Sequence, residues 1–155
     1  MEIIFIIFLD IDGVLKTVVK KNFNRSLENL LNILAESKAK IVISSRWKEK
    51  GLDYIESKFP ELKDYIIGST KKLEISGSQC SVPRGLEIKD WIDSKFKEGI
   101  VVLNYVILDD KSDMLLEQKD NFVKIDSIKG IDSDAKLKIL GILSKNYRIM
   151  RNDSS

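Results

Sequence analysis

The stretch Ile3-Ile4-Phe5-Ile6-Ile7-Phe8-Leu9-Asp10-Ile11-Asp12-Gly13 decides the fold. Its seven leading apolar residues, rich in β-branched and aromatic side chains and without polar alternation, suit a strand covered on both faces, the central position of a parallel sheet. In such a sheet a ligand sits beyond the C-terminal ends of the strands. Asp10 and Asp12, one residue apart at that end, repel each other where solvent is scarce. A hard divalent cation with oxygen ligands is the common compensation. Gly13 lets the backbone turn at once. The same four residues also read as an ordinary acidic turn, so the weight falls on what surrounds them.

Working outward, residues 16–25 (KTVVKKNFNR) are polar and basic, and residues 26–38 carry Leu27, Leu30, Leu31, Ile33 and Leu34 at helical spacing behind Ser26 as an N-cap. Residues 40–43 predict a second buried strand ending in Ser44-Ser45-Arg46-Trp47, followed by a helix over 48–59 that Pro60 stops. Residues 65–67 predict a short third strand, and 69–83 a long surface loop beside the strand ends. A helix over 84–96 leads to an apolar strand within 101–108 that runs into Asp109-Asp110. A short helix over 114–118, a strand over 122–125 and a helix over 133–143 complete the alternation. Strands alternating with helices predict an α/β, doubly wound, three-layer Rossmann-like domain, with about five parallel strands in the order 3-2-1-4-5. One domain over 1–147 with a frayed tail over 148–155 is expected from a chain of 155 residues.

Composition narrows the chemistry. With 43% hydrophobic and 32% charged residues the chain is globular, and a net charge of +2 excludes a general polycationic coat while allowing a local basic patch. The absence of histidine removes His–metal sites, Ser-His-Asp triads and Cys-His dyads. Cys80 is the only cysteine, which excludes an intrachain disulfide and fits a reducing cytoplasm. The opening apolar run lacks a basic n-region and a small-residue cleavage site, and no stretch reaches transmembrane length. A soluble, cytoplasmic protein with no membrane partner is the expectation.

Phe8-Leu9-Asp10-Ile11-Asp12-Gly13-Val14-Leu15 closely resembles the first motif of the haloacid dehalogenase (HAD) superfamily, an apolar strand followed by Asp-x-Asp-Gly-x-Leu. Ile41-Val42-Ile43-Ser44 resembles the second motif and Val106-Ile107-Leu108-Asp109-Asp110 the fourth. More narrowly, Ser44-Ser45-Arg46 is similar to the Ser-Gly-Arg of polynucleotide 3′-phosphatases. Ser45-Arg46-Trp47 with Arg84-Gly85-Leu86-Glu87-Ile88 and Trp91 resembles the small HAD domain of RNA-repair proteins. The resemblance implies that Asp10 is a nucleophile and Asp12 a general acid/base, and that a tight turn and a small β-hairpin flap follow the first motif and cover the site. Two departures stand out: Lys111 follows the acidic pair where that subgroup often has Asp, and the lysine of the third motif is replaced or displaced.

The chemistry follows from residue types as well. Phosphoryl transfer needs an in-line nucleophile, neutralised equatorial oxygens and a protonated leaving group. Asp10 can attack phosphorus, Asp12 can protonate the leaving oxygen, and Ser44 can donate to a phosphate oxygen. Asp10, Asp12, Asp109 and Asp110 are the expected Mg²⁺ ligands. A cation should also touch the phosphate, with Arg84 favoured because it starts its helix after Pro83, and Lys89 second. Gly13, Ser45 and Arg46 are the expected substrate contacts. The length leaves no room for a cap domain, and Lys16, Lys20, Lys21, Arg25, Arg46, Lys48, Lys71 and Lys72 lie in segments flanking the strand ends. Both favour a phosphorylated nucleotide or nucleic-acid end as substrate. The competing readings are a HAD phosphatase for a small metabolite or a phosphoprotein, a phosphotransfer receiver domain, and a catalytically silent binding module. The receiver reading lacks an acid after the third strand; the silent one has no use for Asp10, Asp12 and Asp109 together.

Overall fold

The computed structural model describes residues 1–74, 76–77 and 82–153, the last eight of these as backbone only. Cys80 and part of the 69–83 loop lie outside the described residues.

Five parallel strands, β1 (Glu2–Leu9), β2 (Lys40–Ile43), β3 (Ile66–Ser69), β4 (Ile100–Asp109) and β5 (Phe122–Lys124), form one sheet in the order β3-β2-β1-β4-β5. The expected order is the observed one. Helices α1 (Phe23–Ser37), α2 (Leu52–Lys58), α3 (Arg84–Lys97) and α4 (Ser133–Asp153) cover the sheet, with no large cap. No described helix is long and apolar enough to cross a membrane.

β1 is central because it is apolar on both faces. Ile7 and Leu9 join the larger core cluster with Leu30, Ile33 and Leu34 of α1 and Ile139 of α4. Ile6 and Phe8 face the other way, against Ile88 and Trp91 of α3. The Phe8 ring meets Trp91 and Tyr105 edge-on, with centroids 5.7 and 5.8 Å apart, a favoured aromatic geometry. Residues 6 to 9 of β1 are all fully buried. Each buried side chain of this size contributes roughly 1.5–3 kcal/mol relative to exposure, so the strand that carries the first acids is also among the most firmly held.

Strand order reverses on either side of β1, and the strand ends are stitched together by backbone bonds. Asp10 N–H donates to Leu108 O at 3.1 Å, Ser44 N–H to Leu9 O at 3.0 Å, and Ile125 N–H to Asp109 O at 2.8 Å. Residues distant in sequence therefore converge on one edge.

Several local expectations are corrected. The segment after the first motif forms the expected tight turn, and among the described residues the β-hairpin flap is missing: Leu15 and Lys16 N–H both donate to Ile11 O, and Gly13 N–H reaches Lys16 O at 2.8 Å. α1 begins at Phe23, so Ser26 lies inside the helix and is fully buried rather than capping it. Its hydroxyl donates to Val14 O at 2.7 Å and accepts from Ile131 N–H at 2.9 Å. Gly51, with φ +90°, divides the helix expected over 48–59 into a 3₁₀ turn, Arg46–Lys50, and the short α2. A 3₁₀ turn over Leu116–Asn121 replaces the short helix expected there, and α4 runs to Asp153 rather than ending near 143.

The segment 126–131 is tied to residues 14–29 by more than Ser26. Val18 N–H donates to Ser127 O, Asn22 to Ile128 O, Arg25 to Lys129 O and Asn29 to Ile131 O. Gly130 permits this approach, since a Cβ there would overlap the Thr17 and Ser26 side chains.

Candidate active site

Asp10 follows the last residue of β1 and Asp109 ends the adjacent β4, so both carboxylates stand at the C-terminal edge of the sheet. Asp10 is 4% exposed and Asp109 fully buried. Together with the half-buried Asp110 each offers an oxygen within 4.8 Å of the others. Gly13 makes room for the third acid: its φ is +81°, and a Cβ there would overlap the Asp110 carboxylate.

Arg84 is the cation that enters. Its guanidinium lies 2.5 Å from Asp109 Oδ2 and 3.3 Å from Asp10 Oδ1. The first turn of α3 is fixed to residues 113–118 so that it can do so. Arg84 N–H donates to the Asp113 carboxylate at 3.1 Å and Gly85 N–H to Asp113 O at 3.1 Å. Gln118, 2% exposed, donates to Gly85 O at 2.8 Å and accepts from Leu115 N–H at 2.9 Å. Lys89, the alternative cation, is displaced from this role: it pairs with Glu117 at 3.2 Å on the surface. The reason is position. Arg84 opens the helix at the sheet edge, and Lys89 lies more than a turn further along it.

Three carboxylates against one guanidinium leave two negative charges in excess at a buried place. Burial, then the charge of Asp109, push the Asp10 carboxyl up to about 7 despite the opposing pull of Arg84. Burial also raises Asp109, against Arg84 and the N–H of Lys111, which donates to its Oδ1 at 2.9 Å. For Arg84 burial pulls the value down, but the fields of Asp10 and Asp109 outweigh it and the net direction is up. A buried oxygen cluster in charge excess fits a hard dication, which Asp10, Asp109 and Asp110 would hold.

Ser44 follows β2, next to β1 in the sheet, and is 1% exposed. Its Oγ is the buried side-chain polar atom that has no hydrogen-bond partner among the described residues. Such an orphan costs free energy unless a ligand atom completes it.

The other expected residues are distributed differently. Asp12 is exposed and outside the three-acid group; its Oδ2 accepts from the Trp47 indole N–H at 3.2 Å. Its carboxylate, expected among the metal ligands, turns instead toward the segment after β2. Ser45 is buried, and its hydroxyl accepts from Trp47 N–H at 3.2 Å, capping the 3₁₀ turn rather than standing free for a substrate. Arg46 is exposed beside it. Of the flanking basic residues, Lys48 is partly buried against Glu87 at 3.0 Å and Thr70 at 2.9 Å, Lys72 pairs with Glu49, and Arg25 is used by the 126–131 tie. Lys16 and Lys20 are exposed near Asp12.

The Lys48–Glu87 pair, the Trp47–Asp12 bond and Gln118 escape a reading of the sequence. Each joins residues without a local spacing rule, the pair being 39 positions apart and the indole bond 35. Only Glu87 carried a faint signal, as a carboxylate on the inward face of α3.

No curated protein and no solved structure matched the chain in searches of each. Residues 6–135, most of the chain and every element bearing the site, match the family described as the HAD domain in Swiss Army Knife RNA repair proteins. With five parallel strands in the order 3-2-1-4-5 and acids at the ends of β1 and β4, this chain belongs to that family of phosphatase-type HAD domains.

Proposed function

We propose that the chain is a Mg²⁺-dependent phosphomonoesterase that forms an aspartyl-phosphate at Asp10 and acts on the phosphate end of a nucleotide or nucleic acid. The observation that supports it most is the grouping of Asp10, Asp109 and Asp110, the first two paired with the Arg84 guanidinium, on the sheet edge where Ser44 also stands with its hydroxyl unpartnered among the described residues.

Bound there, Mg²⁺ would neutralise the excess charge and polarise the phosphate. Arg84 pulls Asp10 toward its ionised form, which a bound Mg²⁺ would complete, and faces the equatorial oxygens, and Ser44 Oγ donates to one of them. An Asp10 oxygen attacks phosphorus as the bond to the leaving oxygen breaks. Asp12, exposed and oriented by the Trp47 indole, gives that oxygen its proton. It then takes a proton from water, whose oxygen attacks phosphorus and releases Asp10. The nucleic-acid reading draws on the family's RNA-repair setting and on a sheet edge without a large cap.

Hydrolysis of p-nitrophenyl phosphate and of 3′- and 5′-phosphorylated oligonucleotides, with Mg²⁺ and with excess chelator, tests this. Asp10→Asn should abolish turnover, whereas Ser44→Ala should weaken it by about 1–3 kcal/mol of transition-state stabilisation, one hydrogen bond's worth. Full activity in chelator or in Asp10→Asn refutes the mechanism.

A further inference from the structure

Beside Asp12 lies a groove of about 580 Å³, lined by Trp47, Tyr54 and Phe59 at its base and by Lys16, Lys20 and Lys58 at its rim. Its volume is that of a small-molecule site. The Trp47 ring packs against Tyr54 and Phe59 with centroids 5.9 and 5.8 Å apart. Phe59 is core, 3% exposed, but Trp47 and Tyr54 are only half-buried and keep ring surface toward solvent. Those rings are attended by lysines: Lys16 Nζ lies 5.2 Å from the Trp47 centroid, Lys50 Nζ 5.1 and 5.0 Å from Trp47 and Tyr54, and Lys58 Nζ 5.5 Å from Tyr54.

Asp12 is the only acid in the lining among the described residues, and its carboxylate is engaged by the Trp47 indole at 3.2 Å. The aromatic floor therefore begins one hydrogen bond from the proposed acid/base. Aromatic faces within a basic rim match one chemistry: flat bases on the rings and phosphates on the lysines. An acidic peptide would use the lysines and leave the ring faces unused, and in a duplex the base faces are already stacked on one another.

We propose that this groove binds the terminal nucleosides of a single-stranded nucleic acid, a base stacking on Trp47 and Tyr54 while its neighbouring phosphates take Lys16, Lys20 and Lys58. This rests on the phosphatase reading and names where the substrate's non-reacting part lies. On binding, a base displaces the lysine ammonium groups from the rings, and these turn to the phosphates.

The test compares single-stranded oligonucleotides bearing a terminal phosphate with p-nitrophenyl phosphate, as a ratio of kcat/KM values. Tyr54→Ala should lower that ratio by about five- to 150-fold, the range for loss of one base stack, and Tyr54→Phe should restore it. Lys58→Gln, an exposed change, should raise KM for the oligonucleotide and flatten its dependence on salt. Independently, a single-stranded oligonucleotide without a terminal phosphate should quench tryptophan fluorescence of the Asp10→Asn protein, and a blunt duplex of the same sequence should do so far less. A ratio unmoved by Tyr54→Ala and Lys58→Gln, or equal quenching by strand and duplex, overturns the groove. If p-nitrophenyl phosphate is hydrolysed but single strands do not quench, the groove fails and the phosphatase reading stands. If single strands quench through Tyr54 yet no phosphomonoester is hydrolysed, the phosphatase reading is what fails.

Discussion

At Gly13 two demands meet, a backbone φ of +81° and an open space that the Asp110 carboxylate fills. An L side chain in that conformation costs about 1–2 kcal/mol. A methyl group must also turn Asp110 aside, since an aspartate is too short to bend around it. Gly13→Ala should therefore lower thermal stability modestly and raise the Mg²⁺ concentration needed for half-maximal activity about tenfold or more. A titration of activity against Mg²⁺, set beside a melting curve, separates the two effects. At this scale Asp10, Asp109, Asp110, Ser44 and Arg84 were legible as types, because acids and a hydroxyl at the ends of apolar strands stand out. The direction of a side chain was not. Asp12 turned to Trp47 and Ser45 turned inward to cap its turn, both set by backbone geometry that residue spacing does not encode.

Among the elements α3 has the most exacting seat. Its first turn presses on residues 113–118 so closely that a Cβ on Gly85 would lie 2.6 Å from Leu115 N and 2.9 Å from Met114 Cα. Backbone atoms yield little, so Gly85→Ala should push the helix start away from the sheet edge and carry Arg84 with it. Overpacking of this kind costs about 1–3 kcal/mol. The expected result is a lower melting temperature together with a kcat/KM that falls further than the melting temperature alone accounts for, measured well below the transition. Unchanged kcat/KM would show that Arg84 does not depend on this seat. The strands and α3 could be read from apolar runs and helical spacing. The break at Gly51 and the early start of α1 could not, because tertiary partners decide them: Ser26 looks like a cap and is instead a buried bridge.

For the molecule as a whole, the acidic group links stability to pH. In the metal-free protein the Asp10 carboxyl sits at about 7 when folded, against an ordinary 3.8. Between these values the folded state keeps a proton that the unfolded chain has released, so stability falls as pH rises from about 4 through about 7 and levels above. Melting temperatures in chelator should trace that decline. Mg²⁺ binds the deprotonated group and should raise them most at the alkaline end. A Mg²⁺ effect equal at both ends of the range would contradict the link. Strand order and the edge bearing the acids were legible at this scale, since three strand ends carried matching residues. The tie between residues 14–29 and 126–131 was not, since it is made mostly to backbone oxygens that no side-chain pattern marks. That tie gives the chain a timetable. In synthesis from the N-terminal side, β1 and the turn after it are made before the segment that ties them. The Ile131 N–H that Ser26 needs comes more than a hundred residues later. A nascent chain released after β5 would hold every acid of the site and still lack the partner that secures the turn behind Asp12.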